Sequence, residues 1–117
     1  MSEKAEKFKA LHQRDKAFVL PNPWDVGSAK MLAALGFEAL ATTSAGFAFS
    51  SGKGDAIGEI SRQQALDHAA EIIAATPLPV SADLENGYGD APETVAETVR
   101  LAAEIGLAGC TIEDTTG

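Results

Sequence analysis

Two short acidic clusters carry most of the chemistry this chain can offer. Asp83 and Glu85 stand in Ser81-Ala-Asp-Leu-Glu-Asn-Gly-Tyr-Gly-Asp90, and Glu113 with Asp114 in Cys110-Thr-Ile-Glu-Asp-Thr-Thr-Gly117. Each cluster follows a run of small and apolar residues of the kind that forms a buried strand. In a parallel α/β fold the strand C-termini lie at one face, so carboxylates distant in sequence can converge there. Carboxylates crowded into one cleft repel one another unless a cation joins them. Hard oxygen ligands that leave room for water suit Mg²⁺. Asp83, Glu85 and Glu113 are therefore the candidate metal ligands. The plainer alternative is that Asp83 caps a turn and the other acids are solvated.

The elements that must position these acids can be read from punctuation and periodicity. Residues 3–13 form a charged helix. Ala17-Phe-Val-Leu20 is a first strand, stopped by Pro21. Asn22 caps a helix with Pro23 at its first position and Asp25 at its third; it runs through Leu35 and ends on Gly36. Phe37–Thr42 is a second strand, followed by a polar, Gly- and Ser-rich loop over 43–60. Such a long connection is often functional. Ser61 and Gln64 form a capping box for a helix reaching about Ala75. Val80-Ser-Ala is a third strand. Asp90 and Glu93 form another capping box, with Pro92 in the first turn. Val95, Val99, Ala102 and Ala103 line the apolar face of the helix that follows. Gly106 ends that helix, and Ala108–Ile112 is a fourth strand. The resulting β-α-β-α-β-α-β rhythm predicts parallel strands with right-handed crossovers in a single domain over residues 1–117.

The bulk properties exclude several functions. A chain of 117 residues with 45% hydrophobic content can build one core. A net charge of −8 disfavours nucleic acid or an anionic membrane as partner, since both carry the same sign. An anionic substrate would accordingly need a metal or local donors. The single Cys110 forms no internal disulfide and suits a reducing compartment. The N-terminus lacks an apolar signal core, and no apolar run is long enough to span a membrane. A cytoplasmic protein is expected. Four parallel strands leave two open edges, so either a small open sheet or half of an eightfold barrel is predicted, with homo-oligomerisation as one way to cover the edges.

Five motifs in order, Pro23-Trp-Asp-Val-Gly-Ser-Ala-Lys30, Gly36-Phe-Glu-Ala-Leu40, Thr42-Thr-Ser-Ala-Gly46, Asp83-Leu-Glu-Asn-Gly-Tyr-Gly89 and Thr111-Ile-Glu-Asp114, resemble the first half of the isocitrate lyase / phosphoenolpyruvate mutase family. The resemblance implies the N-terminal half of a (β/α)₈ barrel that binds Mg²⁺ and a small 2-oxo acid or phosphoenolpyruvate-like anion. It implies C–C or P–C bond chemistry through a metal-stabilised enolate. It places Asp83 and Glu85 in the paired-acid motif after the third strand and Glu113 after the fourth. Ser44 and Gly46 fall where hydroxyl and backbone N–H donors meet the substrate anion, and Asp55 falls near another active-site acid. Ser44, Gly46, Asp55 and Trp24 are the substrate-binding candidates, with packing under the barrel rim as the plainer alternative for Trp24. Tyr88, between two glycines, is a candidate to line the pocket, with a turn-filling role as its alternative.

Two departures stand out. The usual Asp-x-Asp is Asp83-x-Glu85, so the second acid reaches further. The lyases also carry a cysteine acid/base on a mobile loop directly after the fourth strand, and Cys110 lies within that strand, so it is not the counterpart. The catalytic acid/base is left unassigned. His12 and His68 are expected to face solvent, and neither is a ligand candidate. Two other classes compete. A non-catalytic fragment or interaction module would also fit the short length. A flavodoxin-like phosphoacceptor domain would need an acidic pair after strand one, where Pro21-Asn-Pro-Trp24 stands instead.

Overall fold

A computed structural model describes residues 1–116. It contains helices α1 (Glu3–His12), α2 (Val26–Ala34), α3 (Ser44–Ser50), α4 (Arg62–Ala74) and α5 (Pro92–Glu104), with strands β1 (Leu40–Ala41), β2 (Val80–Asp83) and β3 (Gly109–Thr111). The three strands form one parallel sheet in the order β1-β2-β3. Leu40 pairs with Val80, and Ser81, Ala82 and Asp83 pair with Gly109, Cys110 and Thr111. This register puts the ends of all three strands, and the loops that follow them, along one side of the sheet.

The core lies between the sheet and its helices. Leu40, Val80, Ala82 and Leu84 from the sheet side meet Leu66, Ala69 and Ile72 of α4 and Ala102 of α5. Each fully buried aliphatic side chain of this kind contributes roughly 1.5–3 kcal/mol of transfer free energy. The α5 face differs from expectation. Thr98 and Ala102 are its buried residues, whereas Val99 is 42% exposed.

Several caps follow the sequence. Ser61 and Gln64 form the expected box at the start of α4. Gly36 and Gly106 take the left-handed conformation just beyond α2 and α5, with φ of 94° and 96°, where an L side chain would be strained. Others do not. The cap of α2 is Asp25, which exchanges hydrogen bonds with Ser28; Asn22 is drawn away, donating its side-chain amide to the Ala41 carbonyl at 3.0 Å. At α5 Pro92 begins the helix, but the cap position is Ala91 and no side chain bonds there. Asp90 instead accepts from Asn86.

Three further differences concern the strands and the long loop. The segment 17–20 forms no ladder: its continuation touches β1 through Ala41 N–H to the Pro21 carbonyl at 3.0 Å, and proline offers no donor to extend the pairing. Among the described residues three strands form where four were expected, and the second of the expected four shortens to Leu40–Ala41. The loop 43–60 holds a helix, α3, capped by Thr43, whose hydroxyl accepts from Gly46 N–H. The glycine and two phenylalanines of Ser44–Ser50 hide this helix from propensity reasoning. No helix among the described residues is long and apolar enough to cross a membrane.

Candidate metal and anion site

Asp83 ends β2, where the sheet delivers its carboxylate to the loop side. Its Oδ2 accepts from both the hydroxyl of Ser44 (2.8 Å) and the backbone N–H of Ser44 (3.2 Å). Its Oδ1 accepts from the Glu85 backbone N–H at 3.1 Å. Its own N–H donates to the Thr42 hydroxyl. The first turn of α3 and the end of β1 thus hold the Asp83 carboxylate from one side, and the turn after β2 from the other.

Glu85 and Tyr88 are both non-glycine residues with positive φ, 50° and 64°. Such backbone costs on the order of 1 kcal/mol or more per residue and collects at functional sites. The turn is fixed by Tyr88 N–H to the Asn86 side chain, by Gly87 N–H to the Leu84 carbonyl, and by Glu113 N–H to the Glu85 carbonyl at 2.7 Å. The last bond brings the second acidic cluster against the first.

Electrostatics gathers the acids around Glu85. Burial pushes the Glu85 carboxyl above its ordinary pKa; a hydrogen bond from Tyr88 opposes this, and the charges of Asp55, Asp83 and Glu113 add to the rise. The Tyr88 phenol is driven far above its usual value by burial first, then by the charge of Glu85 and its hydrogen bond to it, so it stays a donor. Asp55 Oδ1 is buried without a hydrogen-bond partner. The ion pairs of the described residues join Lys7 to Glu3, Arg14 to Glu38, and Arg100 to Glu97 and Glu104. None neutralises these acids.

Among the described residues no three carboxylate, histidine or cysteine side chains come together as a closed metal-binding group. Asp83 spends both oxygens on Ser44 and Glu85, and Glu113 is exposed at the rim. The donor set nevertheless suits a hard divalent cation: a Glu85 carboxyl held above its ordinary pKa by burial and neighbouring charge, one buried Asp55 oxygen with no hydrogen-bond partner, and no ion pair to any of these acids among the described residues. Asp114 is exposed.

The remaining candidates are placed as follows. Ser44 meets Asp83. The Gly46 N–H is used by the Thr43 cap, and a Cβ at Gly46 would lie 2.4 Å from Trp24 Nε1. Trp24 therefore packs over α3 with its indole against that glycine, while remaining 47% exposed. His68 was expected in solvent and is not there. Its Nε2 bonds the Trp24 carbonyl at 2.8 Å, and its ring stacks on Phe47 at 3.9 Å. It lines a small hollow with Thr42, Phe47, Asp83, Glu85 and Tyr88. Periodicity on α4 places His68 two positions after Leu66, off the core face, and gives no sign of α3 arriving to cover it. His12 is exposed, as expected. Cys110 packs partly buried against the core, and burial raises its thiol pKa.

The family profile described as phosphoenolpyruvate phosphomutase matches residues 8–117. The chain belongs to the phosphoenolpyruvate mutase / isocitrate lyase family. It is 30% identical to a 2-methylisocitrate lyase of Halalkalibacterium halodurans, over 96% of this chain and 37% of that protein. It is 32% identical to a 2,3-dimethylmalate lyase of Eubacterium barkeri, over 94% and 38%. Among solved structures, a Burkholderia cenocepacia J2315 protein described only as a lyase or mutase superposes with a TM-score of 0.93 at 64% identity, over 97% of this chain and 40% of that one. The chain thus spans about 40% of the length of these family members. The parallel βα units match the corresponding part of the barrels of this superfamily, as the motifs implied.

Proposed function

We propose that this chain carries the metal- and anion-binding rim of a lyase or phosphonomutase that acts on a small 2-oxo acid or phosphoenolpyruvate-like anion, in a cytoplasmic setting. The observation that carries the reading is that hydrogen bonds set Glu85 directly against both Asp83 and Glu113, while none of the three acids has an ion-pair partner among the described residues. Family membership, and the lyase relatives above, support the reaction class.

In this reading Asp83, Glu85 and Glu113 hold Mg²⁺, with the unpartnered oxygen of Asp55 facing the same centre. Bound there, the ion would supply Lewis-acid stabilisation of negative charge developing beside a cleaved C–C or P–C bond. The chain's own residues orient and exclude water. Ser44 fixes the Asp83 carboxylate, Tyr88 holds Glu85, and Trp24, Phe47 and His68 wall the site on the α3 side. The sheet edge at β3, with Val99 and Ile112 exposed nearby, supports assembly with a second copy.

Titration of Mg²⁺ against the folded chain, followed by calorimetry, tests the reading. Saturable binding that Asp83→Ala abolishes is expected. No binding, or binding indifferent to Asp83→Ala, removes its basis.

A further inference from the structure

The chain has three arginines, and among the described residues one of them has no carboxylate within ion-pair distance. Arg14 is engaged by Glu38, and Arg100 by Glu97 and Glu104. Arg62, in the first turn of α4, donates from Nη1 to the Thr98 hydroxyl at 3.3 Å. Its field reaches Glu97, but the Glu97 oxygens are already taken by Arg100 at 2.7 Å each. A guanidinium has five N–H donors in a planar fork, so one long bond to a hydroxyl leaves a face for bidentate binding.

That arginine lines a cleft of about 590 Å³ beside the acids. Glu85, Glu113 and Tyr88 stand among its walls, together with Asn86, Thr94 and Arg62. Arg62 is the one cation among the residues lining it. In a chain of net charge −8, this cleft offers guanidinium donors to an anion on one wall and glutamate oxygens to a cation on another. A cation at the glutamates and an anion at the arginine would satisfy both, and one bifunctional ligand can span them.

We propose that Arg62 is a specificity-determining residue that binds a second carboxylate of the substrate, so that the site prefers 2-oxo dicarboxylates to 2-oxo monocarboxylates. The inference rests on the metal-site reading above for the anchoring end of the ligand. It does not depend on which bond is broken.

The test compares acids of equal length on the Mg²⁺-loaded chain by calorimetry: 2-oxoglutarate against 2-oxopentanoate, and 2-oxoadipate against 2-oxohexanoate. At least one diacid should bind more tightly than its monoacid. Arg62→Gln should weaken that diacid about tenfold or more, the size of a lost charge-assisted pair, and leave the monoacid unchanged. Arg62→Lys keeps the charge without the planar fork, and part of the diacid preference should survive it; this separates recognition from a packing role. If Arg62→Gln weakens diacid and monoacid alike, or neither, the inference is overturned while the metal site stands. If the chain binds Mg²⁺ but shows no diacid preference, the inference also fails. If Mg²⁺ itself does not bind, the function proposed above fails and takes this inference with it.

Discussion

Ser44 donates both its hydroxyl and its backbone N–H to a single oxygen of Asp83, 39 residues further along the chain. This pair ties the first turn of α3 to the end of β2, and hence the long loop to the sheet. Removing the hydroxyl leaves Asp83 one donor short on that oxygen. Ser44→Ala should therefore lower stability by about 1.5–3 kcal/mol, the range for hydrogen bonds to charged groups, read as a fall in the urea midpoint at constant slope. An unchanged midpoint would show that water replaces the hydroxyl without cost.

Gly46 permits the close approach of Trp24. A methyl group there would meet the indole at 2.4–2.5 Å and the Thr43 methyl at 2.6 Å. Gly46→Ala should cost about 1–3 kcal/mol through overpacking. Trp24 is the sole tryptophan, so its fluorescence reports the displacement directly, as a red shift toward solvent. An unaltered emission maximum would place the strain elsewhere.

The environment of Glu85 sets a pH dependence with a definite sign. Its folded-state pKa is raised, by burial above all, so the folded state favours the protonated carboxyl. The contribution to stability is fully present below the unfolded value of about 4.3 and is lost as pH rises through the folded value. Without metal, Glu85→Gln should melt higher than the parent at pH 7, and the difference should close toward acid pH. Added Mg²⁺ should stabilise the parent and not the variant, by mass action on the folded state. A parent that melts higher than Glu85→Gln at pH 7 in chelator would reverse the sign and contradict the burial argument.

Tyr88 and Glu85 form a coupled pair, since the phenol bonds the carboxylate of a residue one methylene longer than the aspartate common in the family motif. Tyr88→Phe should weaken Mg²⁺ binding several-fold on the parent. The shorter side chain of Glu85→Asp loses reach to the phenol, so Tyr88→Phe should be nearly silent in that background. A double-mutant cycle measures this coupling; strictly additive effects would show that the phenol and the carboxylate act separately.

Much of this architecture was legible in residues alone. Gly36, Gly106 and the Ser61–Gln64 box mark their helix ends unambiguously, because each signal is local and has one structural meaning. The acids after β2 and β3 could be placed on one side for the same reason, once the strands were known to be parallel. What escaped depends on partners far away. Nothing near Ala17–Leu20 reveals that the chain's backbone bond to β1 falls at Pro21, beyond that run. Nothing near Asn22 reveals that the Ala41 carbonyl competes for its amide. Helix α3 was hidden by Gly46, whose presence answers to Trp24 rather than to helix propensity. His68 was misread because the element that covers it was itself missed.

His68 joins the Trp24 carbonyl to the ring of Phe47, and so fastens together stretches of chain around residues 24, 47 and 68. Tied at one imidazole, the lip of the hollow would have to open as a unit, with the α3 amides and the start of α2 exchanging hydrogen at matched rates. A mouth built this way opens by concerted breathing rather than by the flutter of independent loops.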